Sequence, residues 1–96
     1  MATVFRATVE LMKSSGRQYG RSHATSSGYC PHIVVEGKGA LLGVKFLEAM
    51  KHGMNDVIFE TLYKNIDYSA IQEGVNFEVR EGEKVIGTGH IVERVD

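Results

Sequence analysis

Strict alternation of apolar and polar residues constrains this chain more than any other feature. In Phe5-Arg6-Ala7-Thr8-Val9-Glu10-Leu11 every second residue is apolar. A period of two suits a strand with one buried face. The same rhythm returns in Val75-Asn76-Phe77-Glu78-Val79-Arg80 and again from Val85 to Val95, around the polar stretch Glu81-Gly82-Glu83-Lys84. Two alternating runs about a short glycine-containing turn predict a β-hairpin in which Gly82 supplies the positive φ. Upstream, Ile33-Val34-Val35 is β-branched throughout and predicts a strand over 32–35, with Pro31 placed just before the ladder would need its missing N–H. A third strand is expected over 40–47, with Leu42, Val44 and Phe46 on one face. A fourth is expected over 56–63, with Val57, Phe59 and Thr61 opposite Ile58, Glu60 and Leu62. Residues 48–55 read as a turn with room for one helical turn at Ala49-Met50-Lys51. Residues 64–74 read as a second long connection. Six strands without a long helix predict one all-β domain over residues 1–96, an antiparallel barrel or sandwich.

Bulk properties narrow the role. Ninety-six residues make one domain, and 43% hydrophobic with 24% charged residues is globular composition. A net charge of −1 is poor electrostatics for a dedicated nucleic-acid binder, whose affinity comes largely from Lys and Arg. Cys30 is the sole cysteine and has no internal disulfide partner, which suits a reducing cytoplasm. No apolar run approaches a membrane span, and the first residues carry no secretory h-region, so the expectation is a soluble cytoplasmic domain without a membrane role. The sequence has no Gly-x-x-x-x-Gly-Lys-Ser/Thr motif, so GTP binding is not expected.

The candidate chemistry sits mainly in one loop. Residues 13–27 are rich in Ser and Gly, hold no Asp or Glu, and carry Lys13, Arg17, Tyr19, Arg21 and His23. Cations interleaved with an aromatic are what an RNA backbone or single strand needs. A metal is not expected, although Cys30 and His32 lie two apart on an extended segment and His23 could fold over them. No third group stands out to orient a Cys30–His pair, so neither enzymatic activity nor a cofactor is expected.

Two motifs in fixed order give a more specific reading. Gly20-Arg21 precedes Gly28-Tyr29-Cys30-Pro31-His32 by six residues, and Glu73-Gly74-Val75-Asn76-Phe77-Glu78-Val79-Arg80-Glu81-Gly82 continues into Val85-Ile86-Gly87-Thr88-Gly89. Together they resemble the third, C-terminal domain of elongation factor Tu, and the likeness runs from Phe5 to Val95. The resemblance implies a six-stranded antiparallel Greek-key barrel. It also implies contact with tRNA around Gly20–His23 and at Glu81-Gly82. This sequence differs from the family pattern at Ser22, where His is usual, at Cys30, where Arg is usual, and at His32, where Gln is usual. The expectation is therefore a non-enzymatic binding module for a protein partner or a second copy of itself. An RNA- or tRNA-associated translation accessory role is the alternative.

Overall fold

The computed structural model describes residues 3–12 and 28–95, and its regular elements are six strands. They are β1 (Val4–Leu11), β2 (His32–Val35), β3 (Leu42–Phe46), β4 (Gly53–Thr61), β5 (Asn76–Glu81) and β6 (Lys84–Arg94). All pairings are antiparallel, and the sheet closes in the order β1-β4-β3-β2-β5-β6. Strands β2, β3 and β4 run as a meander, after which β5 crosses to pair with β2. Closure leaves no free sheet edge, which removes the usual liability of a small β-protein. Among the described residues no helix is long and apolar enough to cross a membrane.

The alternating residues face inward as their spacing requires. Phe5, Ala7, Val9 and Leu11 of β1 are buried, as are Leu42, Val44 and Phe46 of β3 and Val57 and Phe59 of β4. Phe59 stands at the centre. Its ring lies 5.5 Å from Phe5, 5.5 Å from Phe46 and 6.1 Å from Phe77, stacked on the first and edge-on to the other two. Such pairs add to the stabilisation that burial alone provides.

Strand β6 makes the closure possible. It pairs with β5 on one side and β1 on the other, and it carries a register irregularity against each. Val79 pairs with Gly87 but Arg80 with Val85, leaving Ile86 extra; Arg6 pairs with Glu93 but Ala7 with Ile91, leaving Val92 extra. Bulges of this kind bend a strand and sharpen its twist. The glycines between them leave room on the inner face. A Cβ on Gly87 would lie 2.7 Å from the Glu10 carbonyl oxygen, and one on Gly89 would strike the Phe77 ring.

At the β5–β6 turn, Glu81 pairs with Lys84 across a two-residue loop, and Gly82 has φ 65°. No non-glycine residue among those described has positive φ. Positive φ at the first loop residue alone identifies a type II′ turn, whose twist matches the strands it joins.

Strand β3 is shorter than expected, Leu42–Phe46 rather than 40–47, and β4 departs at both ends. Strand β4 begins at Gly53, inside the segment read as a turn, and ends at Thr61 rather than Tyr63. Residues 48–52 form no helical turn. Instead the Asn55 side chain closes this corner: its Oδ1 accepts from the Lys51 N–H at 3.0 Å, while Nδ2 donates to the carbonyls of Lys51 and Gly53 at 2.8 and 3.0 Å. Nδ2 also lies 3.3 Å from the Val9 carbonyl on β1. One side chain thus satisfies backbone groups that a helix would have satisfied internally.

Candidate functional site

Most of the residues anticipated for RNA contact, Lys13, Arg17, Tyr19, Arg21 and His23, lie outside the described residues. The other two, Glu81 and Gly82, form the last position of β5 and the first of its turn. The Tyr29 hydroxyl donates to Glu81 Oε2 at 2.5 Å, so the approach to β2 is tied to this hairpin. The Tyr29 ring is itself buried and stacks near Phe46, with centroids 6.3 Å apart.

Cys30 is exposed, and its thiol donates to the Gly28 carbonyl at 3.3 Å. His32 follows in β2, half-buried and in register between Gly43 and Arg80. Among the described residues no three His, Cys, Asp or Glu side chains gather as metal ligands. His23, the third weak metal candidate, is outside them.

The structure draws attention to a different region, the stretch after β4. The Tyr68 hydroxyl donates to the Gly43 carbonyl at 2.6 Å and accepts from the N–H groups of Leu62 and Tyr63 at 3.3 and 3.2 Å. It therefore reinforces the end of the β3–β4 ladder, where the Leu62 N–H also donates to the Gly43 carbonyl at 3.3 Å. The Tyr63 ring then folds over Gly43, where a Cβ would collide with Tyr63 Cε2. Replacing Tyr68 with phenylalanine is expected to cost about 1–2 kcal/mol, because the Tyr63 N–H loses its partner and the Gly43 carbonyl and Leu62 N–H keep only their own 3.3 Å bond. Thermal unfolding measures the loss, and an unchanged midpoint would deny Tyr68 this role.

The knot has an outward consequence. Leu41 is 51% exposed, Leu62 37%, Tyr63 53% and Ile66 39%. Half of the exposed large apolar residues among those described thus lie at the start of β3 and just past β4. Tyr63 and Ile66 line a groove of about 570 Å³ together with Thr3, Lys64, Gln72 and Arg94. Single exposed apolar residues are ordinary, but Tyr63 and Ile66 line one groove, and exposed apolar side chains gathered in this way mark a candidate interaction surface. The connection itself is ordered by short-range bonds: Asp67 Oδ1 accepts from the Ser69 N–H at 2.9 Å, which lowers the Asp67 pKa.

A second groove, of about 650 Å³, lies on the outer face of β1, β2, β5 and β6 and is lined by both polar and apolar side chains. Strand register sets Glu10, Thr88 and Glu78 in one row and Thr8, His90 and Asn76 in the next. Within it Glu78 binds Arg80 at 2.6 Å, and His90 Nδ1 lies 2.8 Å from Asn76 Oδ1.

No protein-family model and no curated protein matches this sequence. Alternation found the core. It carried no signal for Tyr68, a single tyrosine in a polar connection, or for the exposed apolar residues Tyr63 and Ile66.

Proposed function

We propose that this chain is a non-enzymatic binding module whose partner is a protein, acting in the cytoplasm through a barrel resembling the C-terminal domain of elongation factor Tu. The return of β5 beside β2 after the β2–β3–β4 meander supports the Greek-key reading. The observation that carries the binding role is the pair of exposed apolar side chains Tyr63 and Ile66 lining a groove, with Leu41 before β3 and Leu62 after β4 exposed as well. Large apolar side chains held in place by a backbone knot can be buried by a partner at little ordering cost.

The test is affinity capture with the wild-type chain and with Tyr63→Ser/Ile66→Ser, after thermal unfolding shows that the variant still folds. One dominant protein should be retained by the wild type and lost from the variant, at least tenfold. Light scattering on the wild type separates a second copy from another protein. A monomer that retains the same proteins whether or not Tyr63 and Ile66 are intact would sink the proposal.

A second reading is favoured by the charge distribution. Residues 13–27 carry Lys13, Arg17 and Arg21 and no acid, leaving the rest of the chain with eight Lys and Arg against all twelve Asp and Glu. RNA or tRNA binding would therefore depend on this segment. Under that reading Arg17→Ala/Arg21→Ala should weaken low-salt tRNA binding roughly tenfold, and added salt should weaken the wild type steeply. No measurable binding at low ionic strength would remove it.

A further inference from the structure

No further inference is drawn: the strongest candidate, the groove on the outer face of β1, β2, β5 and β6 beside Glu10, Glu36 and Glu78, rests on an acidic cluster and no second observation among the described residues points to a ligand there.

Discussion

Phe59→Ala is expected to destabilise the barrel by about 3–5 kcal/mol, the range for removing a large buried aromatic side chain. A small domain has a total stability of about 5–15 kcal/mol, so this one change should remove a large share of it. The size of the effect follows from position. Phe59 is fully buried, and three other aromatic rings contact it from three different strands: Phe5 from β1, Phe46 from β3 and Phe77 from β5. Those strands are held in place by the closed ladder, so the surrounding side chains have little freedom to collapse into the space. Phe59→Leu, which keeps most of the volume, should cost clearly less. Urea unfolding of both variants measures the difference. A loss below about 1 kcal/mol for the alanine variant would mean that the four rings do not form the centre of the core.

Gly89→Ala tests the opposite fault, too much volume. Gly89 pairs with Phe77 on one side and Val9 on the other, both inward-facing. A Cβ there would stand 2.7 and 2.8 Å from Cε1 and Cε2 of the Phe77 ring. That ring is buried against Phe59 and has nowhere to retreat, so the expected cost is about 3 kcal/mol, at the upper end for overpacking. At about 4–8 °C per kcal/mol for a domain of this size, the melting temperature should fall by more than 10 °C, as an order of magnitude. A double variant identifies the cause. If the methyl group meets the ring, Phe77→Leu should recover part of the loss, and the two substitutions should be less than additive. Strict additivity would mean that Gly89 matters for another reason, such as its backbone conformation in the bent strand.

These two positions also show what the sequence made legible. Phe59 was expected on the same face as Val57 and Thr61, and the structure buries all three. The inner faces of β1, β3 and β5 were equally visible, because a period of two is a direct imprint of one-sided burial. The start of β4 was not visible. Residues Gly53 to Asp56 are exposed or half-buried, so no apolar rhythm marks them. They are strand because they pair with Thr8, Val9, Glu10 and Leu11, and pairing between distant segments leaves no local signal. Closure through the bulges of β6 was hidden for the same reason.

The candidate surface was the least legible part. Leu62 and Tyr63 read as the continuation of an alternating strand, with Leu62 on the outer face. The regular strand ends at Thr61, and beyond it the Tyr68 hydroxyl joins the Leu62 and Tyr63 N–H groups to the Gly43 carbonyl, a contact across 25 positions of chain. Short-range periodicity cannot report such a contact. The basic segment, conspicuous in the sequence, lies outside the described residues, so its expected role stands on composition and on the resemblance.

Amide hydrogen exchange on the wild-type chain, alone and with its captured protein, tests the central claim most directly because it locates the contact. The docking account predicts slower exchange on binding at Leu41 to Gly43 and at Leu62 to Ile66, with little change at Cys30 to Val34 and across the Glu81–Lys84 turn. Protection confined to residues 13–34 and 81–84, with Leu41 to Gly43 and Leu62 to Ile66 unchanged, would contradict it.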